Sequence, residues 1–111
     1  METNINTIIN KYTYRIEWSE DDQVFIGRCL EFPGLAAHGD SSEAALKEIK
    51  VVVNESVKWL RDDNKTIPEP LGLKKYKGKL TLRVPPELHR KLVMRSVEEG
   101  VSVNQYILSR L

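Results

Sequence analysis

The sequence predicts an α+β fold: a small antiparallel sheet packed by one helix, followed by a short strand–helix–turn–helix module. Three observations carry this. Tyr12, Tyr14, Ile16 and Trp18 alternate with Thr13, Arg15 and Glu17, the period of two of a half-buried strand. Leu46, Ile49, Val53, Val57 and Leu60 recur at helical spacing, with Ala45, Val52 and Trp59 widening the stripe enough to cover one face of a small sheet. Charge is split along the chain. Residues 1–70 hold 8 Lys+Arg and 13 Asp+Glu, a net of −5, whereas residues 71–111 hold 9 and 3, a net of +6. An acidic front and a basic back suggest two modules with different partners, the basic one being the nucleic-acid candidate.

Composition bounds the rest. The 111 residues are 41% hydrophobic and 30% charged, which fits a globular chain rather than a disordered or fibrous one. No apolar run approaches the roughly 20 residues of a membrane span, and the polar start Met1–Asn10 lacks the basic opening of a secretory signal. One cysteine, Cys29, leaves no internal disulfide framework, so a cytoplasmic location without membrane attachment is expected.

Taken in order, residues 1–11 are expected to be a flexible tail. The strand near 12–18 is followed by the turn Ser19-Glu20-Asp21-Asp22, and Gln23 to Leu30 resumes an extended pattern, giving an antiparallel hairpin. Pro33-Gly34 is expected to break the chain before a short third strand, Leu35 to His38. Asp40 and Glu43 stand in capping-box spacing ahead of the helix. Pro68, Pro70 and Gly72 end helical structure between Asn64 and Leu73, a stretch that either adds an edge strand or leads out of the first module. The domain boundaries are then 12–71 for the front module, 72–77 for a lysine-rich linker and 78–111 for the back module.

In the back module Leu80, Leu82 and Val84 alternate with Lys79, Thr81 and Arg83. Pro85-Pro86 stops the strand and suits a helix start. Leu88, Leu92, Val93 and Val97 stripe that helix, Gly100 supplies a left-handed stop, and Ser102 with Gln105 opens a second helix bearing Val103, Ile107 and Leu108. So few residues bury too little core alone, and a lone one-faced strand must find another. The economical solution is a twofold dimer with paired strands, its core built from Leu80, Leu82, Val84, Leu88, Leu92 and Ile107. Lys79, Thr81 and Arg83 from both chains would then share a ribbon suited to the major groove, with the helix start at Ser102, Val103 and Asn104 toward a phosphate.

On these residues, Lys79 through Pro85 and Gly100 through Asn104, the back module resembles the ribbon-helix-helix (Arc/MetJ-type) repressors. That resemblance implies an obligate dimer that binds operator DNA through Lys79, Thr81 and Arg83, anchored by Ser102, Val103 and Asn104. A ribbon that only dimerises is the structural alternative. The front module, in Gln23-Val24-Phe25-Ile26-Gly27-Arg28-Cys29-Leu30-Glu31-Phe32-Pro33-Gly34-Leu35, in Gly39-Asp40-Ser41-Ser42-Glu43-Ala44-Ala45 and in Ile67-Pro68-Glu69-Pro70, resembles the HicB antitoxins. It implies a partial RNase H-like, toxin-binding domain. The whole would be an antitoxin that masks a small HicA-like ribonuclease toxin and represses its own operon, as a homodimer or a tetramer.

Catalysis would need convergent acids, bases or metal ligands. Glu17, Asp21, Asp22, Glu31, His38 and Asp40 are the candidates. Turn and cap roles account for the three aspartates, and His38 and His89 read as surface or structural side chains. Cys29 has no cysteine or histidine at metal-ligand spacing. No catalytic residue, metal or cofactor is therefore expected, and the chain reads as a non-enzyme. Glu17, Glu20, Asp21, Asp22, Glu31, Glu43 and Glu48 are instead candidates for an acidic face that docks on a basic toxin, with Phe32 and Leu35 as exposed apolar anchors. Two other functions compete: a stand-alone ribbon-helix-helix transcriptional regulator without a toxin, and a ribonuclease seated in the front module.

Overall fold

A computed structural model describes residues 5–111, with side chains from residue 7 onward. The chain divides into two compact units, Met1–Lys75 and Tyr76–Leu111. No helix among the described residues is long and apolar enough to cross a membrane.

The front unit begins with a short helix, α1 (Ile5–Lys11), where a flexible tail was expected. Its apolar side explains the difference: Ile9 is buried in the core with Ile8 packed beside it, and Tyr14 Oη donates to the Ile9 carbonyl at 2.8 Å. Residues 1–4 of the expected tail lie outside the described residues. Three strands follow, β1 (Tyr14–Ser19), β2 (Val24–Cys29) and β3 (Phe32–Gly39), in an antiparallel sheet of order β1-β2-β3. Pro33-Gly34 does not break β3. A register irregularity between Arg28 and Cys29 takes up the turn, so pairing resumes at Phe32.

Helix α2 (Ser42–Asp62) crosses one face of this sheet. Its cap is Ser41 rather than Asp40: Ser41 has extended backbone, and its Oγ accepts from Ala44 N at 3.0 Å. Ala45, Ile49, Val53 and Val57 are fully buried, about 1.5–3 kcal/mol for each of the larger side chains. Such close seating depends on two glycines. A Cβ on Gly27 would lie 2.8 Å from the Ala45 carbonyl oxygen and 3.0 Å from Ile49 Cγ2, and one on Gly39 would lie 2.5 Å from Ala45 N. Backbone atoms cannot step aside as a flexible side-chain end would, so the first turns of α2 rest directly on the sheet.

The stretch after α2 forms no edge strand. It runs as a strap that ends in a 3₁₀ turn, Leu71–Leu73, with Pro70 buried and Ile67 packed on the core. Two side chains hold it. Tyr12 Oη donates to the Pro68 carbonyl at 2.8 Å. Glu31 accepts from Leu71 N and from Thr13 N, both at 2.9 Å, and from Thr13 Oγ1 at 3.2 Å. Burial pushes the Glu31 carboxyl up, yet the N–H donors of Leu71 and Thr13 outweigh it and hold the group below the usual carboxylate range.

In the back unit, α3 (Pro86–Glu99) starts with Pro86 in its first turn and ends at Gly100, whose φ of 70° lets Val101 N reach the Ser96 carbonyl at 3.0 Å. Helix α4 (Val103–Leu108) opens with a complete capping box: Gln105 N donates to Ser102 Oγ and Ser102 N donates to Gln105 Oε1, each at 3.0 Å. The expected strand at 79–84 is absent among the described residues. A strand is completed by its hydrogen-bonding neighbour, and a single chain offers this segment none.

Two outcomes follow from the front unit. Gly27→Ala is expected to cost about 1–3 kcal/mol by overpacking, read as a lower urea midpoint at unchanged slope. Glu31→Gln is expected to cost about 1–3 kcal/mol through poorly satisfied Leu71 and Thr13 donors. Because the carboxyl is depressed in the folded state, its stabilisation is complete above the unfolded-chain carboxylate pKa and disappears as pH falls through the folded value. Urea melts at a series of pH values should accordingly show a shallower acid decline in Glu31→Gln than in the parent.

Candidate nucleic-acid interface

The back unit's residues sort by exposure into two sets. Lys79, Thr81, Arg83, Ser102 and Asn104 are exposed, with Val103 half-buried. Leu80 is 87% and Leu82 66% exposed, Leu88 is also exposed, and Val84, Leu92 and Ile107 are half-buried. The expected apolar core is thus largely open within one chain. Val93, Met94, Val97, Leu108 and Leu111 extend the uncovered apolar surface, and only Ser96 and Tyr106 are buried in this unit. Ser96 is satisfied internally, its hydroxyl donating to the Val93 carbonyl at 2.8 Å.

Ser102, Val103 and Asn104 come together at the start of α4. The N–H groups of Val103 and Asn104 precede the first intrahelical bond, while that of Gln105 is taken by Ser102 Oγ. At six residues α4 carries little macrodipole, so contact with an anion there would rest on those two N–H groups and the Asn104 side chain. Near the other end of α4, Arg110 pairs with Glu99 and lies over the Tyr106 ring at 4.7 Å, tying α4 to the end of α3.

The front unit disperses the acidic candidates. Glu17 lies on the sheet face opposite α2, 3.9 Å from Arg28. Glu20 accepts from Trp18 Nε1 at 2.6 Å, and Asp22 engages Ser19 in the hairpin turn with exposed Asp21 between them. Glu43 and Glu48 are on α2. Glu31 is committed to the strap and offers no free carboxylate to a partner. Nor are Phe32 and Leu35 exposed anchors. Both are half-buried against the core, Phe32 edge-on to Tyr12 at 5.6 Å between ring centroids.

The exposed large apolar side chains described in this unit are Trp18, Leu30, Val51, Trp59 and Leu73. Trp59, on α2, is 59% exposed beside a groove with Phe32, Val52 and Leu60, and Trp18 is 47% exposed, edge-on to Phe25. Periodicity assigned Trp59 to the buried stripe, although it falls at the stripe's margin, one position before Leu60. His38 is exposed on the sheet face opposite α2, paired across from Ile26. Among the described residues no three of His, Cys, Asp and Glu gather to hold a metal ion.

Cys29 is 1% exposed, and burial pushes its thiol up to about 11, with the neighbouring Glu31 carboxylate adding to the rise. Alkylation by a water-soluble thiol reagent near neutral pH is therefore expected to be slow in the native protein and fast in urea. Equal rates in the two conditions would contradict this burial.

A family model described as the HicB family matches residues 64–111. The match covers the strap from residue 64 onward and the whole back unit, and overlaps the front-module resemblance only at residues 64–71. It supports a HicB-family reading and, with it, a role related to toxin–antitoxin systems. No curated protein and no solved structure matches the chain.

Proposed function

We propose that the protein is a HicB-like antitoxin whose back unit dimerises and binds operator DNA, and whose acidic front unit covers a small basic ribonuclease toxin. One observation carries the reading: residues 80–111 present leucines, valines and a methionine to water that a 36-residue unit has no interior to receive. A second copy supplies that interior. Antiparallel pairing of two 79–84 segments would give each its missing strand neighbour and bury Leu80, Leu82 and Val84 against α3 and α4 of both chains. The same pairing sets Lys79, Thr81 and Arg83 of both copies on the opposite, solvent side. There Arg and Lys are able to donate to guanine in the major groove and Thr to meet various base edges.

The family match over residues 64–111 supports this assignment of the back unit. HicB-family proteins go with HicA toxins, small RNA-cleaving proteins whose positive surface suits the front half's net charge of −5. No step of catalysis is assigned to either unit. The chain acts by occupying surfaces: a toxin's through the front unit and an operator's through the back.

Gel shifts on the DNA upstream of the gene, at several salt concentrations, test the DNA half of the reading. Arg83→Ala is expected to lose about 1–3 kcal/mol of discrimination between operator and unrelated DNA, and the parent should show the steep salt dependence of phosphate contacts. Unchanged affinity and footprint in Arg83→Ala would reject this role for the segment. Co-purification with the product of an adjacent small basic gene tests the toxin half; an adjacent product that stays unbound favours a stand-alone regulator.

A further inference from the structure

We propose that the front unit carries a second nucleic-acid contact, a cationic seam along α2 that grips phosphates of the DNA flanking the operator. Helix α2 divides its charges by side. At helical spacing Lys47, Lys50, Asn54, Lys58 and Arg61 share one seam, whereas Glu48, Val52, Glu55, Trp59 and Asp62 share another. From Lys47 onward the first seam holds no carboxylate and the second no cation; Glu43 sits one turn ahead of the first. The cationic seam runs about 21 Å along the helix axis. Its cations are accessible. Lys47, Lys58 and Arg61 are exposed and Lys50 is half-buried. Arg61 meets its neighbour Asp62 at 3.3 Å with both side chains more than half exposed, a weak contact that a phosphate can replace. Lys50 lies over the Tyr14 ring and donates to Asn10 Oδ1 at a long 3.4 Å. At its start the seam opens on a shallow hollow lined by Ile9, Asn10, Lys47, Lys50, Val51 and Asn54, with no carboxylate among them.

This pattern selects a phosphate chain. Cations set in a row suit an anion whose charge repeats along a line, as a nucleic-acid backbone does. A compact anion would engage one or two of them and leave the rest idle. A basic protein is repelled on this side of α2 and drawn to the other, so the two partners do not compete. The inference rests on operator binding by the back unit, because the seam is weak alone on a front half whose net charge is −5. Tethering removes that difficulty. Residues 74–79, which form no helix or strand, join the units. Fully extended they span about 20 Å. Once the back unit holds its operator, the seam therefore meets flanking phosphates at a high effective concentration.

The test uses the full chain and two duplexes, the bare operator and the operator extended by two helical turns on each side. The parent is expected to bind the extended duplex about tenfold or more tightly, the gain of a tethered second contact. Lys47→Gln/Lys50→Gln/Lys58→Gln leaves the buried stripe of α2 alone and should lose that gain while binding the bare operator as the parent does. On the extended duplex it should flatten the slope of log affinity against log salt by up to about 5, at about 0.9 per lost phosphate contact over two chains. Lys47→Arg/Lys50→Arg/Lys58→Arg keeps the charges and should keep the parent slope. Equal affinity of the parent for both duplexes, or a gain that survives the glutamine substitutions, would overturn the proposal and leave operator binding by the back unit standing. Binding of a single-stranded RNA that depends on the same lysines would also overturn it, moving the seam to another ligand. A parent that binds neither duplex removes the operator reading and this inference together.

Discussion

Helix α2 rests on bare backbone. Gly27 and Gly39 leave no Cβ between strands and helix, and the rest of the front unit follows from the closeness this permits. At that distance Ala45, Ile49, Val53 and Val57 lose all contact with water, and Cys29, Tyr12 and Ile9 complete the buried cluster around them. Close seating also fixes which face of the sheet is spent on the core. Val24, Ile26, Arg28 and His38 are then left on the other side, where no described element of the front unit packs over them. A single steric condition at two positions thus divides the sheet into an interior face and a face available to another molecule.

Glu31 plays the corresponding part at the far end of the same sheet. Most acidic side chains of this unit are solvated, but this one gathers two backbone N–H groups and a hydroxyl and so fastens the strap. Tyr12 adds a second tie through Pro68, its own hydroxyl pushed up to about 12 by burial, with the Cys29 and Glu31 charges adding to the rise. Without these ties the proline-rich stretch would have no regular hydrogen bonding to hold it across the core. The strap closes the front unit and delivers the chain to the lysine-rich residues where the back unit begins.

The back unit shows the opposite economy. Its helix start and stop signals are satisfied: Pro86 in the first turn, Gly100 at positive φ, and Ser102 and Gln105 exchanging capping hydrogen bonds. Yet Leu80 at 87% and Leu111 at 94% exposure leave its hydrophobic surface unspent. Local order without an interior is the condition in which association supplies the core rather than following from it.

Much of this was determined by sequence alone. The period-two run at 12–18, the stripe from Ala45 to Val57, and the Pro, Gly and Ser-x-x-Gln punctuation of the back unit each depend on neighbours a few residues away, and each appears in the structure with small shifts at its ends. Tertiary structure decided what depends on distant partners. Ile9 turned an apparent tail into a helix because a core lay within reach, and Ser41 rather than Asp40 caps α2, its Oγ accepting from Ala44 N. Glu31 left the pool of docking carboxylates because Leu71, forty residues on, brought it a donor. Phe32 and Trp59 exchanged their expected exposures for the same reason. Periodicity says that a face is apolar, but only the packed fold says where that face ends and which part of it another chain must cover.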